Sequence, residues 1–221
     1  MAKLPVNFRQ GSEGNLINYT LTNMIEGTGS IVYYCGEALD DNAAAVSTLD
    51  PNLYYSDDIE AETTAGTLNQ TYALELSKNY DTTAFDIPQV VKGTGLVSIS
   101  FGVYGHASAT IYGYVKAVLQ RMRGAVSTTI GTGQSAVITN DGGASWDLKA
   151  TALSLDLTAT SLKIGDSLRL TIYGYMKNST GSFGGKIAWG QDPRNRDGSV
   201  LTAAGNMRTD TQIKVPFKIQ Q

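Results

Sequence analysis

The chain has 221 residues, 42% of them hydrophobic and 17% charged, with 24 glycines, 5 prolines and a formal net charge of −3. This is the composition of a folded, turn-rich protein and excludes a disordered one, and a single cysteine, Cys35, excludes an internal disulfide framework. Neither the opening MAKLPVNFRQ nor any later run has the apolar length of a signal segment or a membrane span, so the expectation is a chain made in a cytoplasm that needs no membrane.

Taken in order, Leu4 to Arg9 reads as a short strand or arm within an N-terminal stretch 1–14. Asn15 to Met24 alternates as a strand, and the EGTG turn leads it into Ile31 to Cys35 as a hairpin. Cys35 itself, in SIVYYCGE, reads as a small buried apolar side chain. Residues 36–66 form the least regular region, rich in acids that include Asp57, Asp58, Glu60 and Glu62. Its oxygens lack the D-x-D-x-D-G spacing of a calcium loop, so it reads as a solvated or interface loop and no metal site is expected.

From Thr71 on, strand-like segments follow quickly: 71–77, 86–91, 96–104, 109–122, 125–130, 135–139, 146–158, 166–177, 186–189 and 212–219. The GTG triplets at 27–29, 93–95 and 131–133 lack the Lys-Ser/Thr of a phosphate loop and read as turns. Within 146–157 the apolar face changes parity, from Trp146 and Leu148 to Leu153, Leu155 and Leu157, which a bulge near Thr151 or a strand crossing between sheets would explain. Pro216 places the last strand near an edge.

The stretch DSLRLTIYGYMK at 166–177 organises the rest. Leu168, Leu170 and Ile172 share one side of an extended backbone, with Arg169, Thr171, Tyr173 and Tyr175 on the other. Its centre, TIYGYMK, repeats as TIYGYVK at 110–116 with six matches in seven positions, and FGVYG at 101–105 is a looser version. Glycine between aromatics in a strand suggests rings closing over bare backbone or a bend in a curved sheet. The two near-identical strands are expected to be neighbours or facing counterparts. With no crossover helices, the fold class is all-β: one domain over 1–221, an antiparallel two-sheet sandwich of jelly-roll type. The expected core is Leu168, Leu170, Ile172, Ile111, Trp146, Leu155, Ile213, Val215 and Phe217.

Charge is unevenly spread. Residues 1–86 carry 13 acids and 3 bases, residues 87–221 carry 7 acids and 14 bases, and no base lies between Arg9 and Lys78. This points to complementary surfaces, either within one molecule or between molecules. In the second case Asp57, Asp58, Glu60 and Glu62 of one subunit meet Arg121, Arg123, Arg194 or Arg196 of the next, in a homo-oligomer with a trimer favoured.

Chemistry is sparse. One histidine, His106, excludes a multi-histidine metal site, and no G-x-S-x-G context supports a nucleophile. The expectation is a chain that is not an enzyme, with no catalytic residues and no cofactor, and with too little basic patch for nucleic acid. Tyr54, Tyr55, Tyr104, Tyr112, Tyr114, Tyr173, Tyr175, Trp146 and Trp189 are of the kind that stack on pyranose faces, which makes a carbohydrate- or receptor-binding module the alternative reading. Tyrosines on an outer sheet face are equally common at subunit interfaces.

GDSLRLTIYGYMK, then IAWGQDPRNRDG, then VPFKIQQ, with VKAVLQRMRG at 115–124, resembles the jelly-roll head decoration or auxiliary capsid proteins of tailed bacteriophages over residues 96–221. The resemblance implies a non-enzymatic virion structural protein, made in the host cytoplasm, bound to a major capsid protein or another virion protein, and often trimeric.

Overall fold

In the computed structural model, residues 28–39, 45–141, 143–198, 200–201 and 207–218 are described. The expected hairpin strand Asn15 to Met24 and the arm 1–14 lie outside the described residues. Twelve strands account for most of what is described: β1 Thr28–Leu39, β2 Ala45–Asp50, β3 Glu60–Ala65, β4 Ala73–Asp81, β5 Gln89–Tyr104, β6 Ile111–Arg123, β7 Val126–Gln134, β8 Ile138–Asn140, β9 Trp146–Leu162, β10 Ser167–Asn178, β11 Gly185–Gly190 and β12 Thr211–Lys218. They hydrogen-bond in the order β3-β11-β5-β12-β1-β2-β4-β10-β6-β7, with β9 along the other edge of β5 and β8 beside β6. Every ladder is antiparallel except β2–β4, joined by the one parallel pairing Thr48↔Asp81.

The ladder folds back on itself into two layers, as the period-2 patterns require. In β10, Leu168, Leu170, Ile172 and Met176 are fully or almost fully buried, and in β12 Ile213, Val215 and Phe217 join the same core. The two YGY strands are direct neighbours: Tyr175 lies opposite Tyr114, and Met176 opposite Gly113. Their glycines face inward and let the layers approach. A Cβ on Gly113 would sit 2.5 Å from Val103 Cγ2, and one on Gly174 would sit 3.0 Å from Ile187 and 3.1 Å from the Trp189 ring. Side chains of the opposite layer close over the bare backbone, and at Gly174 one of them is the Trp189 ring.

Four sequence expectations are corrected. The GTG triplets at 93–95 and 131–133 lie inside β5 and β7. Gly133 is needed because β7 crosses β9 so closely that a Cβ there would be 2.8 Å from the Ser154 carbonyl oxygen, while Gly93, at φ +116°, sits at the β5 irregularity. Pro216 is not at an edge, since β12 lies between β1 and β5; its missing N–H coincides with the register shift between Lys214 and Phe217. The β5–β9 ladder is regular through Thr151, so no bulge changes parity there. Trp146 and Leu148 instead face outward, half-buried under Val200, Leu201 and Met207 beside Ala188, a small second core separate from the main one. Finally, the region 36–66 contains the end of β1 together with β2 and β3.

The turn into β10 is fixed by a charge pair. Arg123, at the end of β6, donates from Nε and Nη2 to the two oxygens of Asp166, each at 2.7 Å, and the Lys163 amide donates to Asp166 Oδ2 at 2.8 Å. The Arg123 hydrogen bonds hold the Asp166 carboxyl down to about 2 against the opposing effect of burial. A free aspartate titrates near ~3.9, so the depressed group stabilises the fold above about pH 4 and loses that contribution as pH falls toward about 2. Asp166→Asn is therefore expected to flatten the acid limb of stability over that window, measured by urea unfolding across a pH series. An unchanged acid limb would contradict the assignment.

Candidate interaction surface

The outer face of β4, β10 and β6 collects the polar and aromatic halves of the alternating strands. Across the β10–β6 ladder, Arg169, Thr171, Tyr173, Tyr175 and Lys177 stand opposite Gln120, Val118, Lys116, Tyr114 and Tyr112. On the β4 side, Asp81, Asn79 and Ser77 stand opposite Arg169, Thr171 and Tyr173, until a bulge at Gly174/Tyr175 shifts the register.

The rings on this face are arranged against one another. Tyr114 and Tyr175 stack with centroids 5.0 Å apart and planes at 14°. Tyr72, from the segment just before β4, meets Tyr114 edge-on at 5.0 Å, and Tyr173 lies 6.4 Å from Tyr175. Lys177 Nζ sits 4.8 Å from the Tyr72 ring and 4.9 Å from the Tyr112 ring, a cation held over two π faces. Neighbouring atoms strip water from the Tyr72 and Tyr114 hydroxyls and raise both above the ordinary phenol range, so both are neutral donors and acceptors. Arg169 is matched by Asp81 through two bonds of 2.6 Å, and the Thr171 hydroxyl donates to Asn79 Oδ1 at 2.7 Å. No carboxylate pairs with Lys116 or Lys177 among the described residues. Leu74, 48% exposed, adds apolar surface beside Tyr175.

The sequence-predicted charged residues fall into separate groups. Glu62 pairs with Lys186 at 2.9 Å, and the Glu60 carboxylate accepts the amides of Val200 and Leu201 at 2.9 and 2.6 Å. Asp58, Glu60, Glu62 and Asp197 line an open depression of about 370 Å³. Arg196 donates from Nε to Asp192 at 3.0 Å and also reaches the Ser56 carbonyl, and the guanidinium groups of Arg194 and Arg196 each lie 5.1 Å from the Tyr55 ring, with Asp57 acting electrostatically on Arg196. Within one chain, then, Arg194 and Arg196 share the acidic end. Arg121 and Arg123 lie apart on β6, bonded to Thr128 and Asp166.

The candidate stacking rings divide as well. Trp189 is fully buried, its Nε1 donating to Tyr80 OH at 3.1 Å, while Tyr80 OH donates to Gln191 Oε1 at 2.8 Å and Gln191 Nε2 to Glu37 Oε2 at 3.3 Å. Tyr54 packs against Gly36 and bonds Thr48, and Tyr104 and Trp146 meet edge-on at 5.4 Å. Sequence reasoning missed Tyr72 and Lys177 as members of the outer cluster. The YGY repeat was the signal that led to the rest.

No family model and no curated protein matches this chain, so the bacteriophage resemblance has no family-level counterpart. Some solved structures are similar to this chain. An α-amino acid ester hydrolase superposes with a TM-score of 0.53 at 8% identity, over 85% of this chain and 36% of the hydrolase. A CocE/NonD family hydrolase from Staphylococcus aureus gives 0.44 at 10% identity, over 86% of this chain and 37% of that one. A structure of infectious bursal disease virus, Gt strain, gives 0.35 at 14% identity, over 82% and 41%. The chain thus spans little more than a third of the length of these hydrolases. The expectation that the chain is not an enzyme is corrected here, because the ester hydrolase shares its fold. That expectation rested on missing local motifs, whereas catalytic groups on a sandwich come from loops distant in sequence or from an adjoining domain.

Proposed function

We propose that this chain is an assembly protein of a virus particle, binding a capsid or other virion protein through the outer face of β4, β10 and β6. One observation carries the reading: the tyrosines of this face, half-buried except for the exposed Tyr72, pack on one another and under a lysine, Tyr114 and Tyr175 stacked face to face and Lys177 over one face each of Tyr72 and Tyr112. A sugar-binding face presents open rings lining a groove. Rings turned toward one another offer edges, hydroxyls and a lysine, the composition of a protein contact, where tyrosine is enriched. The resemblance over residues 96–221 supplies the virion setting. Decoration of a bacteriophage head is the finer form of this reading.

The test is co-sedimentation of the purified chain with particles that have been stripped of it. Tyr114→Ser/Tyr175→Ser removes the stacked pair from the surface and leaves the core untouched. Aromatic anchors at an interface centre are worth about 2 kcal/mol or more, so binding is expected to weaken about thirtyfold or more. Unchanged binding by a folded double variant would refute the reading.

The ester hydrolase similarity favours a second reading, a β-sandwich module that works beside a catalytic domain. Turnover of α-amino acid esters by the protein, lost on substitution of a side chain in this chain, would favour it.

A further inference from the structure

We propose that the tyrosine–lysine face receives the acidic end of a second copy of this chain; the proposal rests on the assembly reading and names one partner of the same face. Lys116 and Lys177 stand on that face without a carboxylate partner among the described residues, whereas Arg169 is neutralised by Asp81. The same chain carries the complement. Asp58 and Asp197 are exposed at the rim of the depression that Glu60 and Glu62 also line. Lys186 offsets Glu62, Arg196 is turned to Asp192 with Asp57 near it, and Arg194 lies over Tyr55, so that three bases stand against Asp57, Asp58, Glu60, Glu62, Asp192 and Asp197 and the end stays net acidic. This end is not purely polar, for Tyr55 is 66% exposed and Leu53 48% exposed close by in sequence. A net-acidic surface with exposed carboxylates and Tyr55 beneath two guanidinium groups fits a face of phenol edges, two lysines and Leu74.

The two surfaces belong to different layers, the acidic end to β3 and its flanking loops and the tyrosine face to β4, β10 and β6. A contact between them is therefore head-to-tail, of the kind that closes as a ring when the rotation allows. Charges of this sort steer and register the contact, so association is expected to be salt-sensitive.

Two reversals test it: Lys116→Glu/Lys177→Glu on the face, and Asp58→Lys/Asp197→Lys at the end. None of these four side chains is buried, and Glu60, which holds the Val200 and Leu201 amides, is left alone. Light scattering of the full chain should show an oligomer at about 0.05 M salt that dissociates toward about 0.5 M. Each reversal should weaken association about tenfold or more, and an equimolar mixture of the two variants should restore association between unlike variants, whose face-to-end contacts again join opposite charges, as open pairs or even-numbered rings. A monomer at every protein and salt concentration, an oligomer indifferent to the reversals, or a mixture that fails to associate would overturn the proposal. Particle binding measured on the same variants separates the two claims. Retained particle binding by a chain that never self-associates removes the second copy as partner and leaves the assembly reading standing, whereas unchanged particle binding by the folded tyrosine double variant removes that reading itself.

Discussion

Leu170→Ala is expected to lower the free energy of unfolding by about 2–5 kcal/mol, the cost of emptying a fully packed leucine site. Leu170 has no exposed surface and lies in the main core, opposite Leu119 on one side and Tyr80 on the other. Tyr173, three residues further along the same strand, faces out of the sheet among rings that are partly in water, and Tyr173→Ser is expected to cost less than about 1 kcal/mol. The contrast tests the face assignment more sharply than either value alone. Denaturant unfolding of both variants checks it, and comparable losses at the two sites would show that β10 does not divide an inside from an outside.

A still larger loss is expected at Trp189. It is fully buried, its ring abuts Gly174 across the layers, and its indole N–H is the first donor in a buried chain through Tyr80 and Gln191 to Glu37, which Lys78 joins from the surface at 2.7 Å. Trp189→Ala should cost about 3–5 kcal/mol through the cavity alone. Trp189→Phe keeps most of the volume and loses the indole hydrogen bond, for an expected cost of about 1–3 kcal/mol. A tryptophan serving as a sugar platform behaves in the opposite way, with its loss felt in binding and scarcely in stability. A thermal and chemical denaturation series that found Trp189→Ala near wild type would place this residue at the surface.

What could be read in the sequence was set by local periodicity. In β10 and β12 the alternation of Leu168, Leu170, Ile172 and of Ile213, Val215, Phe217 reports burial on one face, and the structure buries all six. The YGY repeat correctly joined 110–116 to 171–177, because two strands with the same alternation and small residues at the same phase can pair while their tyrosines share one side. The failures came from partners distant in the chain. Trp146 looked like core because apolar residues usually are; the cover that gathers it and Leu148 into a separate cluster comes from Val200, Leu201 and Met207, more than fifty residues later. Pro216 looked like an edge because the rule for proline cannot know that a register shift in β5 will absorb its missing donor.

The candidate site was legible in its parts and not in its assembly. Tyr112, Tyr114, Tyr173 and Tyr175 follow from strand phase, but Tyr72 reaches the platform from outside any strand, and Lys177 caps two rings only because the β10–β6 register sets it opposite Tyr112. The charge asymmetry was visible as composition. Its pairing was not, since Arg123 to Asp166, Arg196 to Asp192 and Glu62 to Lys186 depend on turns and on the β3–β11 ladder. The enzymatic question escaped local motifs altogether, because a fold shared with an ester hydrolase carries no catalytic spelling in its strands.

The most direct test of the account is hydroxyl-radical footprinting, read residue by residue by mass spectrometry, of the chain free and monomeric, dissociated by salt or dilution, and of the chain bound to its particle. The account predicts that Tyr72, Tyr112, Tyr114, Tyr173 and Tyr175 become protected several-fold on binding, whereas Ile164, 68% exposed in the turn before β10, keeps its reactivity. Equal oxidation of the five tyrosines in the free and bound chain would contradict the account.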